Sequence, residues 1–452
     1  MLRLMKISLV LGLVFLLFAC SGGGPKEKRA KFYNKGVALY EQGDYVKATL
    51  ELKNALQVDP KFAQGYYLLG MCSFRQSEFK KAYGAFNKAL ELDDGLNSAR
   101  VMVGRLLLMG GETDKALAAA DKILAVDAAN PEARLLRGAC LATQGKEKES
   151  AEVLGKLLAD GSQEPDLYIM LANLRLKNDD LTGAQGYLEQ LLSHNGEHSA
   201  GRLLLAAVFE RQKKLDEAEA QLKLLVSQQK EDKQAEARLL LVKFYLRNDR
   251  RPAAEALLRS MVKEQPEDER FRVLLIRFLA DQQVEESLVV LRQGLADLPD
   301  SLVLTEMMAK YQLSQKNVAE ATSLLTAYAE RMKTGPQFLR AKLLLAQIAV
   351  QEKEYDKALA LVDVVLAENG SDLGALILKG DLLLQRHDFD GAIAEYRAVL
   401  KDVPQSVPVM FSLAKAHIGN KESKLALELL QKAFELDPKI APLAIMLTRI
   451  YQ

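Results

Sequence analysis

The fold is decided by a stretch near the start of the chain, RAKFYNKGVALYEQGDYVKATLELKNALQVDPKF, residues 29–62. Apolar residues recur three and four positions apart along two segments of it, which predicts two amphipathic helices. The sequence QGDY interrupts the pattern between them, and Asp44 is well placed to cap the second helix. Pro60 follows the second segment, where it cannot continue a helix. The stretch therefore predicts a helix–turn–helix unit.

The unit recurs through the rest of the chain with a period of about 34 residues. A first column begins with four glycines: Gly36, Gly70, Gly104, Gly138, Ala172, Ala206, Val242, Leu275, Ala309, Ala346, Gly380 and Ala414. A second column is entirely Ala or Ser: Ala48, Ala82, Ala116, Ser150, Ala184, Ala218, Ala254, Ser287, Ala321, Ala358, Ala392 and Ala426. A third column is large and mostly aliphatic: Leu52, Phe86, Ala120, Leu154, Leu188, Leu222, Leu258, Leu291, Leu325, Val362, Tyr396 and Leu430. Small residues let two helices approach closely, and the large column fills the space beside that contact.

This pattern resembles the tetratricopeptide repeat, and the resemblance spans residues 29–452. The first two units match best, through Phe32, Gly36, Leu39, Tyr45, Ala48, Ala55 and Pro60, then Tyr66, Gly70, Phe79, Ala82, Phe86 and Ala89. The resemblance implies an all-α solenoid, a right-handed superhelix of about twelve helix–turn–helix repeats followed by a C-terminal helix. The period slips near 227–234 and 330–338, in predicted turns where extra residues cost little, and we expect breaks between sub-blocks there.

The N-terminus is typical of a segment that is removed. A basic start, MLRLMK, precedes a 13-residue apolar run, Ile7–Ala19. As a helix the run would reach roughly 20 Å, against about 30 Å of membrane hydrocarbon, so it is too short to span. The layout is that of a secretory signal peptide, residues 1–19.

The sequence LFAC at residues 17–20 resembles a bacterial lipobox. The resemblance implies lipidation of Cys20, and Ser21 after it resembles the signal for transfer to the outer membrane. Residues 20–28 are then a flexible tether. A plain secretory peptide with a chance cysteine, or an uncleaved anchor, are the alternatives.

Composition argues against nucleic acid as a partner. Lys and Arg number 61 against 60 Asp and Glu, so the excess of positive charge that displaces counterions from DNA is absent. The three cysteines fit no zinc or redox spacing. Cys72 and Cys140 occupy the same place two units apart, too far for a disulfide, and are predicted to be small core residues.

The sequence offers little for catalysis. HNGEH, residues 194–198, matches the H-x-x-E-H metalloprotease string, but Asn195-Gly196 places it in a turn between repeats. The carboxylates at Glu306 and Asp381 are isolated. We therefore expect a protein that is not an enzyme, with no catalytic residue, metal or cofactor. An enzyme or enzyme subunit acting on envelope glycans is the alternative.

The resemblance implies that the first helix of each repeat lines a concave groove. In the first three repeats its inward places are Tyr33, Val37, Tyr40, Tyr67, Met71, Phe74, Met102, Arg105 and Met109. Aromatic and Met side chains suit an amphipathic helix or an extended peptide with apolar anchors, and inter-helix core is the alternative for part of the set.

Two further surfaces have two interpretations each. A basic stripe at groove places either binds an acidic partner or anionic polysaccharide, or consists of single solvated charges: Lys177, Arg211, Lys243, Arg247, Arg272 and Lys310. The C-terminal segment IAPLAIMLTRIYQ, residues 440–452, is apolar almost all round, although a terminal repeat normally has a polar outer face. Ile445 and Met446 therefore either dock onto a partner or a second copy, or belong to a fraying end.

Together these observations predict a lipid-anchored scaffold of the bacterial cell envelope, on the outer membrane and facing the periplasm, that binds protein partners in its groove. It resembles tetratricopeptide lipoproteins of secretion, pilus assembly and exopolysaccharide export, including those linked to exosortase sorting systems. An anionic-polysaccharide-binding protein is a further alternative.

Overall fold

The computed structural model describes residues 24–451, which contain 25 α-helices and no strand. In chain order the helices are α1 (Pro25–Glu41), α2 (Tyr45–Val58), α3 (Ala63–Arg75), α4 (Phe79–Leu92), α5 (Asn97–Met109), α6 (Thr113–Leu124), α7 (Pro131–Thr143), α8 (Glu147–Ala159), α9 (Pro165–Lys177), α10 (Leu181–His194), α11 (Ser199–Arg211), α12 (Leu215–Gln228), α13 (Glu231–Arg247), α14 (Arg251–Glu264), α15 (Glu269–Ala280), α16 (Val284–Asp297), α17 (Leu302–Ser314), α18 (Val318–Met332), α19 (Gly335–Gln351), α20 (Tyr355–Glu368), α21 (Leu373–Gln385), α22 (Phe389–Asp402), α23 (Val407–Gly419), α24 (Ser423–Leu436) and α25 (Ala441–Tyr451).

Each odd-numbered helix from α1 to α23 is the first helix of a repeat, and the even-numbered helix after it is the second. Within the two compact units described below, the helices of a repeat pack against each other, and second helices pack against the first helix of the next repeat. The predicted all-α solenoid of twelve helix pairs and a C-terminal helix is therefore confirmed.

The chain divides into two compact units, which within the described residues are 24–244 and 245–451. The boundary lies inside α13, and the sub-block breaks expected near 227–234 and 330–338 stay predictions. The prediction that the extra residues lie in turns was wrong. They lengthen the following first helices, because α13 and α19 have 17 residues each whereas most other helices have 12 to 14.

The second and third columns form the core of each repeat. Every residue of both columns is buried. Ser150 tolerates this burial because its hydroxyl donates a 2.7 Å hydrogen bond to the carbonyl oxygen of Gly138 on the neighbouring helix. Ser287 makes the same kind of bond, 2.9 Å long, to the carbonyl oxygen of Ile276. The column thus accepts Ser only with a backbone acceptor opposite it.

Close helix approach explains the glycines of the first column. A Cβ on Gly70 would lie 2.6 Å from two ring carbons of Phe86, sixteen residues later in the third column. A Cβ on Gly138 would lie 2.5 Å from a methyl carbon of Leu154. Both distances are well inside normal carbon–carbon contact, so a larger residue at either place would require the core to shift.

The turns inside the repeats share one geometry. The residue two places before each second helix has a positive φ angle in eleven of the twelve repeats: Gly43, Ser77, Gly111, Gly145, Asp179, Lys213, Asp249, Lys316, Lys353, His387 and Lys421. Glycine adopts this left-handed conformation freely, whereas lysine does so at a cost. After the turn in the first repeat, Asp44 accepts a hydrogen bond of 3.1 Å from the backbone N–H of Lys47, which confirms the predicted N-cap.

The two ends of the chain differ from expectation in one respect. Helix α1 begins at Pro25, so the prediction of a flexible tether through residue 28 is wrong for residues 25–28. The predicted signal peptide and Cys20 lie outside the described residues. At the other end Leu443 of α25 is fully buried while Ile445 is 54% exposed, and self-association through this helix stays a prediction.

Candidate functional site

The first helices of neighbouring repeats converge on one face of the first unit. In addition to their contacts with second helices, α5 contacts α7, and α7 contacts α9. Side chains that point away from the second helices therefore meet one another across repeats. This face is where the sequence places the candidate groove.

An apolar cavity of about 280 Å³ lies on this face, between α3, α5, α7 and α9. It is lined by Phe74, Arg105, Leu108, Met109, Leu135, Leu136, Ala139, Asp166, Ile169 and Met170. We call this set the apolar cavity. Its volume is just below the usual range of about 300–1,000 Å³ for ligand pockets, and a few polar groups among apolar walls is the usual composition of a binding site.

The two charged residues of the apolar cavity face each other. The Arg105 guanidinium Nη2 lies 3.9 Å from the Asp166 carboxylate Oδ2, and both side chains remain substantially exposed. An exposed pair of this length contributes little stability. Both groups are therefore available to hydrogen-bond with a ligand.

Three of the nine predicted groove residues line the apolar cavity: Phe74, Arg105 and Met109. Met109 is 60% exposed, so a partner can reach its side chain from solvent. Phe74 is held by Phe79, whose ring centroid is 5.7 Å away in an edge-on arrangement.

The other six predicted residues contribute to packing between helices. Met102 is buried in the core of the third repeat, so its assignment to the groove surface was wrong. The remaining five are half-buried and pack against core clusters: Tyr33, Val37, Tyr40, Tyr67 and Met71.

The tyrosines among them have defined partners. The ring of Tyr33 meets Phe62 edge-on at 5.0 Å, and burial raises the pKa of the Tyr33 phenol. The Tyr40 hydroxyl accepts a hydrogen bond of 3.3 Å from Nε of Arg75. Burial likewise raises the pKa of Tyr67, which stays a neutral phenol. These residues form the half-buried wall that continues from the apolar cavity toward the N-terminus.

The sequence analysis missed the half of the cavity that comes from the fourth and fifth repeats. Leu135 and Ile169 follow Tyr67 at steps of 68 and 102 residues, two and three times the repeat period. They therefore occupy the same inward place as Tyr67, and extending the pattern by two repeats would have found them. Asp166 and Met170 flank that place in the fifth repeat.

The basic stripe is largely neutralised by nearby carboxylates. Four of its six members form ion pairs: Lys177 with Glu147 at 2.6 Å, Arg211 with Asp179 at 2.7 Å, Arg272 with Asp297 at 2.7 Å, and Lys310 with Glu306 at 2.8 Å. Arg272 is also almost completely buried and donates to the carbonyl oxygen of Pro266. These cations offer a polyanion no unbalanced charge, which weighs against the polysaccharide alternative.

The residues singled out for possible chemistry are separated by the fold. His194 ends α10, whereas His198 precedes α11 and accepts a hydrogen bond of 3.0 Å from the backbone N–H of Gly201. Within residues 24–451, no group of three or more His, Cys, Asp or Glu side chains is placed to hold a metal ion. Cys72 and Cys140 are free and buried, as predicted.

None of the helices in the described part of the chain has the length and apolarity needed to cross a membrane. No curated protein sequence matches the chain.

Family models for the tetratricopeptide repeat match residues 33–97, 102–165 and 175–235. A model of the tetratricopeptide repeat protein 21 C-terminal ARM domain matches residues 253–444. Among solved structures, yeast Tom70 is 14% identical, with 95% of this chain and 96% of that chain covered and a TM-score of 0.41.

Two further solved structures are similar to parts or most of the chain. Naa15/Naa10 bound to HypK-THB is 16% identical with a TM-score of 0.45, and the match covers 94% of this chain but only 66% of that chain. PilW, described as a widely conserved type IV pilus biogenesis factor, is 24% identical with a TM-score of 0.39, over 43% of this chain and 92% of that chain.

Proposed function

The chain belongs to the tetratricopeptide repeat family, and on this premise we propose that it is a lipid-anchored scaffold of the bacterial cell envelope that holds protein partners in its apolar cavity. Solenoids of this family are typically non-enzymatic scaffolds for protein–protein interaction. The observation that carries the proposal is the apolar cavity itself, with Met109 exposed at its edge.

The composition of the apolar cavity favours a peptide segment as its occupant. Phe74, Ile169 and Met170 supply apolar walls, and unbranched Met side chains adapt to anchors of different shape. Arg105 and Asp166 supply one donor group and one acceptor group. This combination suits apolar side chains of a partner with the polar backbone that accompanies them.

The lipid anchor is supported by the sequence, through Cys20 and the apolar run before it. Stable anchorage needs more than one acyl chain, at about 0.8 kcal/mol per buried methylene, and a triacylated Cys supplies this. With α1 beginning at Pro25, four residues separate Cys20 from the first helix. They reach about 14 Å when extended, so the first repeat would be held close to the lipid surface.

The proposed location is the outer membrane, with the repeats facing the periplasm, and the proposed process is assembly, secretion or exopolysaccharide export. The likeness to exosortase-linked lipoproteins supports the last of these and rests on the opening repeat alone.

Photo-crosslinking tests the apolar cavity as the binding site. A benzophenone amino acid is placed at Met109, and in a second variant at Val126, an apolar turn residue that is 89% exposed and lies outside the cavity. We expect a discrete protein adduct from position 109 in intact cells and none from position 126. Adding Ile169→Glu to the Met109 variant should abolish the adduct, because a carboxylate cannot be desolvated against an apolar anchor.

Equal adducts from both positions, or an adduct that persists with Ile169→Glu, would refute the cavity as the site. The anchor is tested separately by mass spectrometry of the mature N-terminus. We expect an acylated Cys20, and release of the Cys20→Ala variant from the membrane fraction. An unmodified Met1 start would refute the anchor and leave the cavity test unaffected.

A further inference from the structure

The outer surface of the first repeat carries two large apolar side chains that the fold leaves in solvent. On α2, Val46 is 70% exposed and Leu50, one turn later, is 60% exposed. Lys53 and Gln57 continue the same stripe of the helix, and both are exposed. The stripe lies opposite Ala48, which is fully buried in the core next to α1. Val46 and Leu50 therefore point away from the core and contribute nothing to it.

This pair of residues distinguishes the first repeat from all the others. Val46 and Leu50 lie two residues before and two residues after the small residue of the second column. At the place of Val46, eight of the other eleven repeats have a charged residue, and the remaining three have Thr, Pro or Ala. At the place of Leu50, the other repeats have Gly, Ala, Ser or Glu, with the exception of Val289 in the eighth. The repeat fold therefore does not require a large apolar side chain at either place.

The first two repeats are also positively charged. Residues 24–92 contain 12 Lys and Arg against seven Asp and Glu, whereas residues 93–452 contain 47 against 53. Two of the cations lie on the same surface as Val46: Lys53 on α2, and Lys80, which occupies the place of Val46 on α4. Both are exposed, and neither forms an ion pair within 4.0 Å among the described residues. Their charges therefore add to the positive potential of this surface.

An exposed tyrosine borders these groups. Tyr83 lies on α4, three residues after Lys80, and is 41% exposed. Tyrosine combines an apolar ring with a polar hydroxyl and is enriched where lipid meets water. We call the set Val46, Leu50, Lys53, Lys80 and Tyr83 the outer face. Apolar, aromatic and basic side chains on one helical surface are the composition of segments that lie in the interface of a membrane.

We propose that the outer face lies on an anionic lipid surface. Val46 and Leu50 contact the acyl chains, and Lys53 and Lys80 pair with lipid phosphates. The excess of cations in the first two repeats complements a negatively charged bilayer, which favours lipid over a protein as the occupant. The inference deepens the proposed function and rests on it, because it gives the anchored repeats a defined orientation on the membrane.

The position of the proposed anchor agrees with this orientation. Helix α1 packs on the side of α2 that is opposite the outer face, so its axis would lie roughly 14 Å above the lipid, which is one helix radius plus one interhelical distance. The four residues between Cys20 and Pro25 reach about 14 Å when extended. An acylated Cys20 can therefore enter the bilayer while the outer face lies on it.

Flotation with vesicles tests the proposal on the mature chain, residues 20–452, with the substitution Cys20→Ser so that no acyl group is present. The vesicles consist of phosphatidylcholine alone or with one-third phosphatidylglycerol. We expect the chain to bind the anionic vesicles at least about tenfold more tightly than the neutral ones, because each lysine near an anionic surface contributes to affinity. Added salt should weaken this binding, since exposed charges are screened.

Two apolar variants locate the contact. Val46→Ser/Leu50→Ser should weaken binding to anionic vesicles at least about tenfold, because two apolar side chains no longer leave water. The control Val284→Ser/Val289→Ser removes two valines from α16 that are 50% and 55% exposed, and it should leave binding unchanged. All four side chains are largely solvated, so helical circular dichroism should be the same for both variants.

Two charge variants separate the outer face from net charge. Lys53→Gln/Lys80→Gln should weaken binding at least about tenfold. The control Lys148→Gln/Lys424→Gln makes the same change in net charge at exposed residues that occupy the place of Val46 in the fourth and twelfth repeats. It should leave binding unchanged.

A fluorescent reporter tests insertion directly. The chain has no tryptophan, so Leu50→Trp introduces a single one on the outer face. Its emission should shift to shorter wavelength when anionic vesicles are added, because the indole enters an apolar environment. Val289→Trp occupies the same place in the eighth repeat and should show no shift.

Three outcomes would overturn the proposal. These are failure to float with anionic vesicles, equal loss of binding in a variant and its control, and an emission shift at position 289 but not at position 50. A concentration-dependent shift of Leu50→Trp without vesicles would assign the outer face to a second copy instead. The anchor is tested separately, because flotation uses the unacylated chain: an unmodified Cys20 in cells together with normal flotation would refute the anchor and support the outer face.

Discussion

Replacing Gly70 by Ala tests the close helix approach on which the repeat depends. The new Cβ would lie 2.6 Å from Cδ1 and Cε1 of Phe86, about 1 Å inside normal contact. Phe86 is fully buried and also packs against Tyr67, whose ring centroid is 5.9 Å away, so the ring has little space to retreat.

The expected loss follows from two opposing contributions. Overpacking of this kind typically costs about 1–3 kcal/mol. Ala also stabilises a helix interior by about 1 kcal/mol relative to Gly. The net expectation for Gly70→Ala is a decrease of up to about 2 kcal/mol in the free energy of unfolding. Gly84→Ala, in α4 of the same repeat, has open space around the new Cβ and should stabilise by about 0.5–1 kcal/mol.

The double variant Gly70→Ala/Phe86→Leu recreates a pair that the chain already uses, Ala172 with Leu188 in the fifth repeat, and should be more stable than Gly70→Ala alone. Guanidinium unfolding followed by circular dichroism measures the change, and amide hydrogen exchange locates it in α3 and α4, because repeat arrays do not unfold strictly in two states. If Gly70→Ala proves as stabilising as Gly84→Ala, helix contact does not explain the first column.

Hydrogen bonds, the largest from Arg100, lower the pKa of Asp94 from 3.8 to about 2. The stability that these bonds contribute is therefore complete above pH 4 and is lost as the pH falls toward 2. In that window the unfolding temperature of Asp94→Asn should depend less on pH than that of the unchanged protein. Burial raises the pKa of both Cys72 and Cys140 to about 11. Alkylation at pH 8, mapped by mass spectrometry, should therefore be slow at both thiols until the protein unfolds. Rapid labelling of the native protein would contradict their burial. Lys353 has a φ angle of 62°, in the left-handed region. Lys353→Gly should raise the free energy of unfolding by up to about 1 kcal/mol, because it relieves about 1–2 kcal/mol of strain, which exceeds the cost of a more flexible unfolded chain. An unchanged or lower denaturation midpoint would argue against strain at this turn.

The parts of the fold that were predictable from sequence depend on contacts repeated at a constant offset. Gly70 contacts Phe86, and Gly138 contacts Leu154, each sixteen residues later in the same repeat. Because the same spacing recurs from repeat to repeat, the pattern can be recognised in the sequence. The three residues added to the repeat period before α19 were wrongly placed in a turn, because the sequence pattern does not distinguish extra residues in a turn from extra residues in a helix. The structure places them in the helix, where backbone hydrogen bonds remain satisfied.

Contacts between repeats were harder to predict from the sequence. Arg105 and Asp166 are 61 positions apart, and their approach depends on the rotation of each repeat against the next, which a sequence period does not specify. The ion pair between Lys177 and Glu147 was missed for a related reason. The two residues lie on consecutive helices, and without knowing that they are close, a charged side chain is expected to be solvated. Three of the nine residues predicted for the groove line the apolar cavity, because a sequence period places side chains on one face of a helix but does not specify which of them a neighbouring repeat covers.

The apolar cavity lies where one repeat departs from the pattern. In the first, second and fourth repeats a large third-column residue fills the space over the first-column glycine, but the third repeat has Ala120 there. Leu136 of the next repeat reaches toward Gly104 instead and packs against Ala120. Because Leu136 also lines the apolar cavity, the missing side chain at position 120 is compensated from the groove side, and the space that results is the one we propose a partner fills. Degeneracy of a repeat, which weakens its recognition in sequence, can thus be the property that creates a binding site.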